Sequence, residues 1–132
     1  MISLPDAWRA ELIAAADAAH PAEACGLILG RTNGWAADQL VACDNVADNP
    51  AREFEIDPAA LLHWYKTLRG TERAVIGVYH SHPTGVARPS ATDAARAWDP
   101  DLVWLIVAGE AITAWQPADG GFAPLELTWE KP

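Results

Sequence analysis

Ala74-Val75-Ile76-Gly77-Val78-Tyr79-His80-Ser81-His82-Pro83 decides how this chain folds. Ala74 to Tyr79 is an unbroken apolar run of the kind a fully buried strand shows. It delivers His80 to a strand end, where Pro83, with no N–H to give, stops further pairing. Side chains alternate along an extended backbone, so histidines two apart point the same way and both imidazoles can face one ion. Thr84-Gly85 through Arg88-Pro89 reads as a loop, and a helix is predicted to begin at Ser90. Asp93, carried on that helix, offers an oxygen. Two nitrogens and one oxygen leave the fourth position of a tetrahedral zinc open for water, the layout of a catalytic rather than a structural site. Ser90-x-x-Asp93 is equally a capping box, in which the serine caps the helix and the acid reaches back. Both readings of the pair stand at this point.

Outward from that core, helices and strands alternate without repeats or linkers. Ser3-x-x-Asp6 with Pro5 predicts the start of a first helix, with Trp8, Leu12, Ala15, Ala16 and Ala19 as its apolar stripe and His20-Pro21 as its end. Cys25 to Gly30 and Trp35 to Cys43 read as two strands around an Asn33-Gly34 hairpin turn. A short strand is expected at Phe54 to Ile56. Asp57-Pro58 then supplies a cap and a first-turn proline for a helix running to Arg69, closed by Gly70, with Leu61, Trp64, Tyr65 and Leu68 as its buried face. His63 on that helix reads as a surface residue rather than a fourth ligand. Beyond Asp93, Leu102 to Ala108 is a second continuous apolar strand, turned by Gly109-Glu110 into an antiparallel return over Ala111 to Gln116. A last hairpin passes through Asp119-Gly120-Gly121, and Phe122, Leu125, Leu127 and Trp129 are expected to complete the sheet, with Pro124 marking an edge strand. Of the seven tryptophans, Trp8, Trp64 and Trp104 read as core, and Trp35, Trp98, Trp115 and Trp129 as part exposed. The predicted architecture is an α/β sandwich, a mixed, largely antiparallel sheet with helices on both sides.

A chain of 132 residues buries about two-thirds of the surface its unfolded form exposes, enough for one core, so residues 1–132 are expected to form one domain. No run of eighteen apolar residues and no charged-then-apolar leader occurs, which argues against a membrane span and a secretory signal. Two cysteines, Cys25 and Cys43, are too few for a disulfide framework and fit a reducing compartment, so a cytoplasmic protein is expected. Cys25 reads as a small buried filler. A net charge of −9 with scattered basic residues argues against nucleic acid, which needs a basic surface.

The constellation around His80 resembles the JAMM metalloproteases, also called MPN or Mov34/JAB, whose motif is an upstream glutamate, then His-x-His, seven residues, Ser, two residues, Asp. Pro21-Ala22-Glu23-Ala24-Cys25-Gly26-Leu27-Ile28-Leu29-Gly30 is similar to the family's glutamate segment, and Phe54-Glu55-Ile56-Asp57-Pro58 to the segment before its second helix. The resemblance covers nearly the whole chain. It implies the three-layer α/β/α, cytidine-deaminase-like fold, one Zn2+ per chain on His80, His82 and Asp93, Glu23 as general base, and Ser90 as a helper at the oxyanion. Chemistry asks for the same cast, since a carboxylate that is not a ligand must take the water's proton and pass it to the leaving amine. The resemblance further implies hydrolysis of a peptide or isopeptide bond after the Gly-Gly tail of a ubiquitin-like or sulfur-carrier protein, in a minimal prokaryotic form without long insertions. The alternative is a catalytically silent MPN-type binding module, although such relatives lack the ligands. A zinc nucleobase deaminase needs His-x-Glu and Pro-Cys-x-x-Cys, and neither occurs here.

Overall fold

The computed structural model describes residues 1–33, 36–97 and 99–132. In chain order the elements are β1 (Ile2–Pro5), α1 (Ala7–Ala19), β2 (Cys25–Arg31), β3 (Ala37–Cys43), α2 (Pro58–Leu68), β4 (Arg73–Ser81), α3 (Ala91–Arg96), β5 (Val103–Ala108), β6 (Ala111–Ala118), β7 (Gly121–Leu125) and β8 (Leu127–Glu130). Six strands make one sheet in the order β3-β2-β4-β5-β6-β7, and β1 and β8 make a separate two-stranded ribbon. Within the large sheet only β4 and β5 run parallel. This is the mixed, largely antiparallel sheet that the sequence predicts.

Two apolar clusters cover its opposite faces. Trp8 and Leu12 of α1, with Ile2 and Leu4 of β1, pack on Ile28, Tyr79, Val103, Leu105 and Val107. Leu68 of α2, with Phe54 and Ile56, packs on Leu27, Leu29, Val75, Val78 and Trp104. In β4, Val75 and Val78 lie on the same face although an odd number of residues apart. The cause is a bulge: Ile28 pairs with Gly77 but Leu29 with Val75, leaving Ile76 as an extra residue. A Cβ on Gly77 would meet the Val103 carbonyl oxygen at 2.6 Å, so the strand needs glycine there. With the bulge in place, His80 lies on the α2 face, where it touches Phe54 and Trp104.

The chain departs from its sequence reading at several places. Ser3-x-x-Asp6 does not start the first helix: Ile2–Pro5 pairs in parallel with Leu127–Glu130, and Asp6 makes no side-chain cap. Ser3 Oγ instead donates to Glu130 at 2.8 Å. Burial of Ile2 and Leu4 in the core outweighs the local capping preference. For the same reason Leu127 and Trp129 belong to the ribbon with β1 and do not extend the large sheet. Phe54–Ile56 is reduced to one bridge between Asn45 and Ile56. On α2, Leu68 is buried and Leu61 and Trp64 are partly buried, but Tyr65 is exposed. His63 is exposed, as expected. Asp57 caps α2 by accepting from the Ala59 N–H at 2.9 Å, and β7, which contains Pro124, is an edge strand. Gly34 of the expected turn, Trp35 and Trp98 lie outside the described residues. No helix among the described residues is long and apolar enough to cross a membrane.

Candidate metal centre and active site

β4 carries His80 to the sheet's rim beside β5, with which it pairs in parallel as far as Ser81–Val107. The rim beyond the carboxyl ends of parallel strands is where open α/β sheets place ligands. The His82 N–H donates to the Val107 carbonyl at 2.8 Å, so the chain stays extended one residue past β4 and both imidazoles turn to one side. Pro83 then leads into the loop before α3.

His80 Nε2, His82 Nε2 and Asp93 Oδ2 form a closed triangle with edges of 3.0, 3.1 and 3.2 Å. Tetrahedral zinc with bonds of about 2.0–2.1 Å spaces its ligand atoms about 3.4 Å apart. The triangle is therefore close to the size that ion needs. His82 Nδ1 lies 2.8 Å from the Val86 carbonyl, which can only accept, so in neutral His82 the proton sits on Nδ1 and the Nε2 lone pair faces the triangle. Three electron-pair donors this close call for a shared proton or a cation between them. Glu23, His80 and His82 also each offer a ligand atom within 4.8 Å of the others. The donor set and its spacing fit a small divalent ion.

Of the two readings of Ser90-x-x-Asp93, the capping box is present, and Asp93 also faces the two histidines. Its N–H donates to Ser90 Oγ at 3.0 Å and its Oδ2 accepts from the Ser90 N–H at 2.9 Å, a complete capping box. The same Oδ2 faces both histidines. Burial would raise the Asp93 carboxyl, but its contacts with the ring nitrogens of His80 and His82 outweigh it and hold the group well below the usual carboxylate range. At His80, fully buried, loss of solvent dominates over Asp93 and lowers the imidazole's pKa. In half-buried His82 desolvation is overcome by the bonds to Asp93 and the Val86 carbonyl, and the pKa rises. Asp93 ionised beside neutral His80 is the pairing these environments favour.

Glu23 precedes β2 and is 4 % exposed, with Oε1 making no hydrogen bond. Burial is the main cause that pushes its carboxyl from an ordinary 4.5 up to about 7. Two residues given no role in the sequence reading fix its place. Ser81, between the histidines, faces the other way: its Oγ accepts from the Ala24 N–H at 2.8 Å and its N–H donates to the Ala24 carbonyl at 3.0 Å. Asn45 Nδ2 donates to the Glu23 carbonyl at 3.0 Å and to the Glu53 carbonyl at 3.1 Å, and its Oδ1 accepts from the N–H groups of Ala47 and Glu55. His80 is held differently. Its Nδ1 has no partner, and its ring stacks on Phe54 with centroids 4.4 Å apart and meets the Trp104 ring edge-on. Cys25 is the filler expected, buried in the α2-side cluster with its thiol pushed up to about 12, chiefly by burial.

These side chains open on a cleft of about 300 Å³ lined by Glu23, Arg52, His82, Thr84 and Ser90, among others. A family model described as prokaryotic homologs of the JAB domain matches residues 5–118. This chain belongs to the prokaryotic JAB family. Among JAB relatives, the desampylase of Haloferax volcanii is 32% identical over 111 residues, covering 83% of this chain and 80% of that protein. The CysO-cysteine peptidase of Mycobacterium tuberculosis is 27% identical over 97 residues, covering 74% of this chain and 66% of that protein. The solution structure of a Desulfitobacterium hafniense protein superposes with a TM-score of 0.86 at 31% identity, covering 100% of this chain and 94% of that one.

Proposed function

We propose that this chain is a zinc-dependent JAB hydrolase that cleaves the peptide or isopeptide bond after the C-terminal Gly-Gly of a ubiquitin-like or sulfur-carrier protein. The observation that carries the reading is the triangle of His80, His82 and Asp93 with the unpartnered Glu23 oxygen beside it. Membership of the JAB family and the peptidase names of its relatives support hydrolysis. His80, His82 and Asp93 would hold the ion, which would supply a Lewis acid and lower the pKa of a bound water to about 7.

The chain's own residues do the rest. Glu23 takes a proton from the attacking water and delivers it to the departing amine nitrogen as the C–N bond breaks, leaving a carboxylate on the carrier. Its carboxyl is buried beside the triangle with one oxygen unpartnered, the placement both halves of that transfer need. Ser90 Oγ accepts from the Asp93 N–H, which leaves its own hydrogen free to donate to the developing oxyanion. Glycine beside the scissile bond lets the carrier's backbone approach where a side chain would collide. Cys25 and Cys43 stand as free thiols, in keeping with work in the reducing cytoplasm.

The test offers the zinc-loaded enzyme a sulfur carrier extended past Gly-Gly by a few residues, and the same carrier with Ala-Ala. Trimming of the first alone, seen by mass spectrometry, is the expected result. Equal cleavage of both, or digestion of casein, would replace this reading with that of a general peptidase.

A further inference from the structure

Arg52 lines the same cleft as Glu23, His82 and Ser90. Most arginines of this acidic chain are engaged: Arg31 with Glu72, Arg73 with Asp38, Arg96 with Glu53 and Glu55, and Arg9 over the Trp129 ring. Arg52 has no ion pair or side-chain hydrogen bond among the described residues. Its nearest acid in sequence, Glu53, is held by Arg96 at 3.2 Å.

The backbone beneath it is tied to the reaction centre. The Pro50 carbonyl accepts from the Glu23 N–H at 2.7 Å, and the N–H groups of Arg52 and Glu53 both donate to the Asn49 carbonyl at 3.1 Å. The backbone of Arg52 is therefore tied to that of Glu23, and its exposed side chain lines a cleft whose other titratable groups are Glu23 and His82. A substrate carboxylate on the leaving side, away from the metal ligands, would find a complement there, since a guanidinium can bind both oxygens of that group at once.

We infer that Arg52 receives a free α-carboxylate on the leaving side of the scissile bond. This rests on the hydrolase reading above and narrows it: the favoured substrates are carriers whose Gly-Gly is joined to a single amino acid or short peptide ending in a carboxylate. A lysine within a folded protein has its α-carboxyl locked in an amide and gives Arg52 nothing to bind.

The experiment uses the zinc-loaded chain and a sulfur carrier extended past Gly-Gly by one residue, made once with a free α-carboxylate and once as the α-carboxamide. Wild type should cleave the carboxylate form about threefold to tenfold faster in kcat/KM, mainly through KM, the range for a charge-assisted contact at a partly exposed site. Arg52→Gln should remove that preference by slowing the carboxylate form alone, and Arg52→Lys should keep part of it. Arg88→Gln, altering the arginine that lines the neighbouring hollow beyond Ser90, should leave it intact. A parallel measurement of binding in the Glu23→Gln background should give the same ratio as Kd. Equal cleavage of both forms by wild type overturns the inference while leaving the hydrolase reading standing. So does an Arg52→Gln enzyme that slows both forms alike, which would place Arg52 on the carrier's tail. Failure of wild type to cleave either form overturns the hydrolase reading and this inference with it.

Discussion

Glu23→Gln in the metal-free protein should gain stability over wild type as pH rises. Glu23 is buried with one oxygen unpartnered, and burial pushes its carboxyl from 4.5 up to about 7. An acid whose pKa is raised on folding contributes fully below its unfolded value. That contribution falls as pH climbs past 4.5 and levels off above about 7, once both states are ionised. Each pH unit in that window removes about 1.4 kcal/mol, so wild type should lose about 2–3 kcal/mol between pH ~5 and pH ~8.5 that the glutamine variant keeps. His80, His82 and Asp93 also titrate, but they are common to both proteins and cancel to first order in the difference. With a urea dependence of about 1–3 kcal/mol per molar, the gap between the two midpoints should widen by roughly 1 M over that range. Tryptophan fluorescence during urea unfolding in chelator, at both pH values, measures it. A gap that stays constant with pH would refute the claim that Glu23 is a desolvated carboxyl.

Three other outcomes follow from the site. His82→Ala and Asp93→Ala should purify folded but metal-poor, by elemental analysis, because each removes one corner of the donor triangle; full zinc occupancy in both would sink the ligand assignment. Ser90→Ala should slow hydrolysis by about 10²–10³-fold if its hydroxyl serves the oxyanion, whereas a loss of about 1 kcal/mol in stability with the rate unchanged would leave it a helix cap only. Phe54→Leu should weaken zinc binding about tenfold in a chelator competition, since stacking on Phe54 stands in for the hydrogen bond that His80 Nδ1 lacks; unchanged affinity would show that the ring is held by other neighbours.

The grouping of His80, His82, Ser90 and Asp93 was legible in the sequence because its signals are local. His80 and His82 share a face by the strand period, and Ser90 and Asp93 lie one helical turn apart, so their geometry follows from short stretches of backbone. Glu23 was legible through the family motif alone. What held it in place was not, because Ser81 binds the adjoining Ala24 across 57 positions and Asn45 the Glu23 carbonyl across 22. An Asn in a loop and a Ser inside a strand carry no mark of such partners. The first helix misled for a related reason: Ser3 to Asp6 satisfies the local rule for a helix start, and only β8, at the other end of the chain, turns it into a strand. Tyr65 failed because a helical stripe shows which way a side chain points but not how far the neighbouring layer extends.

The bulge at Ile76 also bears on how much length variation this architecture tolerates. In a strand of strict alternation, gaining or losing one residue reverses every side chain beyond it, and a site built at the strand's end would be turned into the opposite layer. Here the sheet already holds one residue too many between Val75 and His80. Deleting Ile76 would restore regular pairing and leave His80 facing Phe54 as before, at the cost of one buried isoleucine. Loss of that one residue is thus filtered by packing alone, whereas a single deletion or insertion between Val78 and His80 would turn the imidazoles away from Phe54.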